Sequence, residues 1–407
     1  MTKIATGSAA GTAAGVVRTG GGRLPLLDVL RGAAILGTLM TNVWIFTSPG
    51  SEWGILQGGM DSPLTDGTFG GAAEGIFRLF ADGKFLSMLT VLFGVGLAIQ
   101  YGSAQRRGER WPGRYKWRAL FLFAEGTVHF VFVFAWDVLM GYAVTALVVA
   151  WTLTRTERFR RVVMWVAGSL HVVGMGLLTV VLATTGDGSG SSSGSSSGSG
   201  EPVDAEVVRL YADGGYLEQI AFRLQHAIVL RLEPVLTFSL LVLLFLLGVR
   251  LFRAGAFGAD AAGREIRGRM ARWGLGVGVP LTVAAGVGGA DFLLIERYVA
   301  APVLAVGYMG LVGVVLDRVR GDGVLVTGLS AVGRTALSCY VLQNVVCVVV
   351  AYGFGLGLAE RFAGGGPWWV MGLWAAVSGG LMVGASLWLR RFRKGPLEGV
   401  QGWVLGR

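Results

Sequence analysis

Glu125 to Tyr142, EGTVHFVFVFAWDVLMGY, is the stretch whose reading decides the fold. It is apolar enough to enter a bilayer, yet it carries Glu125 and His129, breaks at Trp136-Asp137, and then starts a second apolar run. A carboxylate and an imidazole inside hydrocarbon are costly unless they face a protein interior or a water-filled cavity, which makes them functional-site candidates. Similar apolar segments recur on both sides of this stretch. The 407 residues are 53% hydrophobic and 15% charged, against about 25% charged in soluble domains, and mean hydropathy is +0.62. The runs are long and continuous rather than alternating, so they read as helices. The fold class expected is an all-α polytopic integral membrane protein.

By length, about ten transmembrane helices are expected, roughly 29–47, 84–101, 118–135, 138–154, 162–183, 230–250, 274–294, 301–317, 335–356 and 368–389. Phe69 to Phe80 contains Glu74 and Arg78 and reads as an interfacial helix, and Ala205 to His226 as an amphipathic helix near the membrane. Residues 1–22 have no apolar core and read as a disordered cytoplasmic tail. Residues 23–407 read as one transmembrane domain, in which Gly186 to Gly200, GDGSGSSSGSSSGSG, is a flexible linker in an extracytoplasmic loop.

The formal net charge of +10 is set by topology. Lys and Arg cluster at 106–118, 155–161, 250–272, 318–320 and 390–394, and are sparse in the intervening loops. That asymmetry places both termini in the cytoplasm of a multi-pass protein of the cell (inner, cytoplasmic) membrane, and gives no support for a nucleic-acid partner. Cys339 and Cys347 fall about 12 Å apart on one helix, too far for a disulfide, and read as small buried hydrophobes.

Polar residues inside spans supply the candidate site. In the first span Arg31 and Asn42 are eleven apart, which returns to the same face about 16 Å deeper. Glu125 and His129 share a face, so the carboxylate could orient the ring while a neutral imidazole acts as general base. Asp137 lies about 12 Å beyond His129 on a continuing helix and reads as a gatepost at the external mouth, unless the chain turns at Trp136. Tyr340, Gln343 and Asn344 are three polar groups in one span that begins at Gly333-Arg334. His171 reads as structural. His226, with Glu218, Arg223, Arg231 and Glu233, reads as interfacial, or as the lining of an external acceptor site. No residue set has metal-ligand spacing, and there is no phosphate loop or nucleophile elbow.

These residues resemble the YeiB family of bacterial membrane proteins. The matching stretches are LDVLRGAAILGTLMTN (27–42), KFLSMLTVLFGVGLAIQ (84–100), HFVFVFAWDVLMGYA (129–143), YLEQIAFR (216–223), VGRTALSCYVLQNVV (332–346) and RRFRKGPLEGV (390–400). That family resembles the transmembrane acyl transferases, which move an acyl group from cytosolic acyl-CoA to an acceptor across the membrane. The sugar-modifying branch carries an Arg, ten residues and then a His in its first span. Here Arg31 matches, but Asn42 stands where the His would be and cannot act as general base, so either His129 takes that role or the chemistry differs. Ala135-Trp136-Asp137 departs from the family's WxGD stretch, and Glu125 is outside its usual pattern. The resemblance implies acetyl-CoA or another acyl-CoA as co-substrate, with Arg31, Arg114, Arg118 and Arg334 on its phosphates. The catalytic set is then His129, Glu125 and Asp137, with Asn42, Trp136, Tyr142, Tyr340, Gln343 and Asn344 contacting substrate. Expected partners are membrane lipids and a small-molecule or glycan acceptor, with a homodimer left open. The alternative is a transporter or exporter of a small lipophilic metabolite that uses the same polar path.

Overall fold

A computed structural model describes residues 24–57, 67–186, 204–319 and 323–406. The expected tail at 1–22, the linker residues 187–200 and Arg320 lie outside the described residues. Every regular element among the described residues is a helix. They are α1 (Pro25–Thr47), α2 (Ser51–Gly54), α3 (Phe69–Ala81), α4 (Lys84–Arg106), α5 (Tyr115–Phe132), α6 (Leu139–Thr152), α7 (Glu157–Gly186), α8 (Ala205–Ala212) and α9 (Tyr216–Gln225). The short turns α10 (Ala227–Leu230) and α11 (Leu232–Leu236) lead into α12 (Phe238–Arg253) and α13 (Ala261–Val287). After α14 (Leu293–Ile295) a π-helical turn, Glu296–Ala300, opens α15 (Ala301–Leu316). The chain continues through α16 (Val324–Arg334), α17 (Ala336–Ala351), α18 (Leu358–Arg361), α19 (Pro367–Arg391) and α20 (Pro396–Val404).

The protein is a multi-pass membrane protein. Among the described residues, six helical stretches are long and apolar enough to cross a bilayer, or seven if α16 and α17, bent by 94° at Thr335, count as one. The remaining expected spans coincide with α5, α6 and α12. In its 18 residues α5 carries Lys116, Arg118 and Glu125, while α6 has 14 residues and α12 has 16, short of the roughly 20 that span alone. The bend at Thr335 was not expected, because no proline marks it. Two further boundaries differ from the sequence reading. The amphipathic segment after the linker is two helices, α8 and α9, divided at Gly214-Gly215. The basic residues before the seventh expected span are helical, since α13 starts at Ala261 with the Asp260 side chain capping Gly263 N.

Close helix crossings build the core, and small residues make them. A methyl group added at Gly333 of α16 would stand 1.8 Å from Asp28 O of α1, so the two backbones touch. The α4–α12 crossing uses Gly94 and Gly248 in the same way. Around these crossings α1 packs on α4, α16, α17 and α19, with α12 against α4, α6 and α7. The result is a bundle whose interior is reached from both ends by polar side chains.

Candidate functional site

α5 stops at Phe132 because Val133 leaves helical geometry (φ −125°, ψ −62°). A break at membrane depth must find new partners for the backbone groups it frees. Glu52 supplies them. Its Oε1 accepts from Ala135 N at 2.8 Å, and its main-chain carbonyl accepts from Trp136 Nε1 at 2.8 Å. Glu52 is held in turn by Arg223 Nε at 2.7 Å and the Tyr211 hydroxyl at 2.9 Å, and neither member of the ion pair is exposed (0% each). Arg223 Nη1 also donates to Val131 O. Burial pushes the Tyr211 phenol up. Burial is the largest single influence and opposes the Arg223 charge, but Glu52, Tyr352 and Tyr211 together outweigh it, so Arg223 lies above its ordinary value. Arg223 is therefore a buried clamp and not an interfacial or acceptor-lining residue, and Glu52 is a residue that sequence reasoning missed.

Because the chain turns, Asp137 is not an external gatepost. It folds back beside Gly126 of α5, where an added methyl would lie 2.9 Å from Asp137 Oδ2, and it is 1% exposed. Its Oδ2 accepts from Leu139 N at the start of α6, its Oδ1 accepts from the Tyr340 hydroxyl at 3.1 Å, and its main-chain carbonyl accepts from Arg231 Nη1. His129 is buried, stacks on the Tyr340 ring (5.4 Å between centroids, 24°) and has Nε2 3.0 Å from Asn344 Nδ2. Either orientation of that amide engages Nε2. The ring's partner is thus Asn344 and not Glu125, whose carboxylate oxygens have no hydrogen-bond partner among the described residues. Gln343 is buried with both amide atoms unpartnered, and Tyr142 bonds Thr90 at 2.6 Å. Asn42 is buried in α1 and lines neither cavity described below. His171 Nε2 meets Tyr298 O at 2.9 Å, and the His226 ring packs on Trp53 and Phe222.

Two cavities approach the Asp137–Tyr340 pair from opposite ends of the bundle. The larger, about 290 Å³, lies at the arginine-rich end and is lined by Arg31, Arg118, Arg334 and Tyr340, together with Gln100, Tyr115, Glu398 and Gln401, which sequence reasoning did not single out. Arg31 pairs with Asp28 at 3.3 Å, and Arg334 Nε is buried without a hydrogen-bond partner among the described residues. The bend at Thr335 brings the N-terminus of α17 to this cavity, and Glu398 of α20 caps it. Its Oε1 accepts from Leu337 N at 2.8 Å and its Oε2 from the Ser338 hydroxyl. Arg114 does not join the group, since it donates to Leu405 O on the rim of a separate groove. The smaller cavity, about 50 Å³, is lined by Trp136, Asp137, Tyr142, Glu233, Arg297 and Tyr298 among others. The expected site residues therefore divide. Arg31, Arg118, Arg334 and Tyr340 meet in one cavity and Trp136, Asp137 and Tyr142 in the other, while His129, against Asn344 and the Tyr340 ring, lines neither.

The chain is similar to two uncharacterized bacterial proteins over most of its length. The chain is 28% identical over 389 residues to the uncharacterized protein YxaH of Bacillus subtilis, covering 92% of each chain. It is 27% identical over 399 residues to the uncharacterized protein YeiB of Escherichia coli, covering 91% of this chain and 93% of that one. The chain is YeiB-like. Residues 251–405 match the family described as a protein of unknown function, DUF418. In this YeiB-like chain the matched part runs from the end of α12 to α20 and holds Arg334, Tyr340 and Glu398. Arg31 and the α5–α6 break lie outside it.

Proposed function

We propose that the protein is a membrane-embedded acyltransferase that moves an acyl group, acetyl in the simplest case, from cytosolic acyl-CoA to a hydroxyl or amine acceptor at or beyond the outer side. The observation that carries this reading is the pair of unlike cavities meeting at Asp137–Tyr340. In this reading the chain makes about ten spans in the cytoplasmic membrane with both termini inside, so the arginine-rich cavity faces the cytosol. Arg31, Arg118 and Arg334 hold the donor's phosphates, and an anion reaching the N-terminus of α17 is favoured by the helix dipole. Glu398 occupies that position now and gives way to the donor. The Tyr340 hydroxyl then turns its one proton from Asp137 to the thioester carbonyl, which frees Asp137 Oδ1. The acceptor oxygen attacks that carbonyl while Asp137 takes the acceptor proton. The C–S bond breaks, and the CoA thiolate leaves with that proton. His129 keeps a supporting role in this scheme, holding the Tyr340 ring. Purified protein with radiolabelled acetyl-CoA should transfer label to acceptor, and Arg31→Ala and Arg334→Ala should weaken CoA binding. No CoA binding by wild type overturns the proposal.

One observation favours a second reading. Discontinuous helices with a half-helix N-terminus aimed at an anionic group are a feature of transporters, and α16–α17 is such a pair. An exporter of a small lipophilic metabolite would move its substrate unchanged through the same two cavities and consume no acyl-CoA.

A further inference from the structure

α19 is apolar enough to cross the membrane, yet only 17% of its crossing segment is buried inside the bundle. A methyl group added at Gly380 or Gly384 would meet nothing within 4 Å. These two glycines are four apart and share one face, and they floor a groove of about 450 Å³ between α17 and α19. Pro396 and Leu397 of α20 close its end at the start of α17, where Leu397 N donates to Ser338 Oγ at 3.0 Å. No lining side chain is charged, and the polar ones are already engaged. Thr335 Oγ1 donates to Ala331 O at 3.0 Å and lies 3.3 Å from Cys339 Sγ. The Ser338 hydroxyl donates to Glu398, and Trp388 Nε1 donates to Lys394 O at 2.9 Å. An occupant therefore gains by bringing hydrocarbon, and a polar group buried there would go unmet.

The chemistry changes at that end. Between Trp388 on the groove wall and Pro396 at its end, the chain carries Arg390, Arg391, Arg393 and Lys394. All four are exposed, and none forms an ion pair among the described residues. Glu398, the acid that follows them, is committed to Leu337 N and Ser338. The turn is held against α17, since a methyl added at Gly395 would stand 2.8 Å from Ser338 Oγ. Hydrocarbon beside a run of unpaired cations matches an amphiphile with an anionic head. A second copy of the chain fits less well. Two copies inserted in the same sense and packed through α19 would set one basic run beside another, with no free acid between them. A zwitterionic lipid leaves the cations uncompensated. We propose that the α17–α19 groove binds an anionic phospholipid, with an acyl chain along Gly380 and Gly384 and the headgroup at Arg390–Lys394. This site shares no lining residue with either cavity, and it requires neither acyl transfer nor export.

Native mass spectrometry of the full chain, released from nanodiscs of equal parts dioleoyl-phosphatidylglycerol and dioleoyl-phosphatidylcholine, tests this with two lipids that share their acyl chains. Wild type should retain phosphatidylglycerol at least about fivefold over phosphatidylcholine, the preference that one cation confers at an anionic surface. Gly384→Phe fills the groove from a face with open space, so the bundle keeps its packing. It should lower the retained phosphatidylglycerol at least about fivefold, as expected when a bound chain loses its groove. Arg390→Gln, Arg391→Gln, Arg393→Gln and Lys394→Gln combined should leave lipid bound but bring the two lipids to equal retention. Loss of preference with lipid still bound cannot come from misfolding. Equal retention in wild type, phosphatidylglycerol unchanged in Gly384→Phe, or a preference that survives the four Gln substitutions overturns the inference. So does a lipid-free dimer of wild type that Gly384→Phe splits, since the groove would then belong to a second copy.

Discussion

In the proposed transfer Asp137 is the residue on which the chemistry turns, and its surroundings give the reason. Oδ1 takes the Tyr340 hydroxyl from the side of the larger cavity, while the residue itself lines the smaller one. His129 touches neither cavity, and its Nε2 is engaged by Asn344. The two candidates therefore part under mutation. Loss of a general base costs about 10²–10⁴ in rate, so Asp137→Asn should lower acetyl transfer by that order with CoA binding intact. His129→Ala should cost less than about tenfold, the effect of loosening one stacked ring. Initial rates with radiolabelled acetyl-CoA check both, and the reverse order of effects would restore the imidazole as base. The sequence made His129 conspicuous because an imidazole stands out in an apolar run. It could not show that Asn344, on a helix more than two hundred residues further along the chain, would occupy it.

At the scale of elements, the α5–α6 break is held from outside by Glu52 and Arg223, which come from segments far apart in the chain. Removing one partner of a buried ion pair costs about 3–5 kcal/mol, because the other charge stays buried and unmatched. Glu52→Gln should thus lower the thermal unfolding midpoint sharply, while the paired replacement Glu52→Leu with Arg223→Met should recover much of it. The α1–α16 crossing makes a separate prediction. Gly333→Ala forces backbone against backbone, and overpacking of this kind costs about 1–3 kcal/mol; a melting curve monitored by circular dichroism should shift down. Here legibility was uneven. Arg31, Arg118 and Arg334 stood out as cations at the ends of apolar runs, and the structure gathers them. Arg297, Glu52 and Glu398 sat at polar helix ends where a charged residue is unremarkable, and only tertiary proximity gives them meaning. The sequence reading began a span at Gly333-Arg334 and assigned no helix before it, so α16 and its bend into α17 were missed.

Over the whole molecule, the helical membrane class followed directly from composition, since long apolar runs admit few alternatives. The number of spans did not, because α5, α6 and α12 borrow their stability from neighbours rather than from their own length. The proposed orientation is checkable: single cysteines placed at residues 10 and 402 should react with an impermeant thiol reagent only in inverted vesicles. Labelling from opposite sides would break the two-termini-inside arrangement. A final point concerns the order in which the chain is made. The larger cavity takes its walls from Arg31 at one extreme and from Glu398 and Gln401 at the other, and Glu398 caps a helix synthesised some sixty residues earlier, with Leu337 N as one of its donors. A ribosome that stalls between α17 and α20 therefore leaves a chain with its arginines made but one wall of the cavity missing. Nascent fragments and proteolytic remnants would be inert towards the donor, and a stop after Gly395 should yield a membrane-inserted protein that fails to bind CoA.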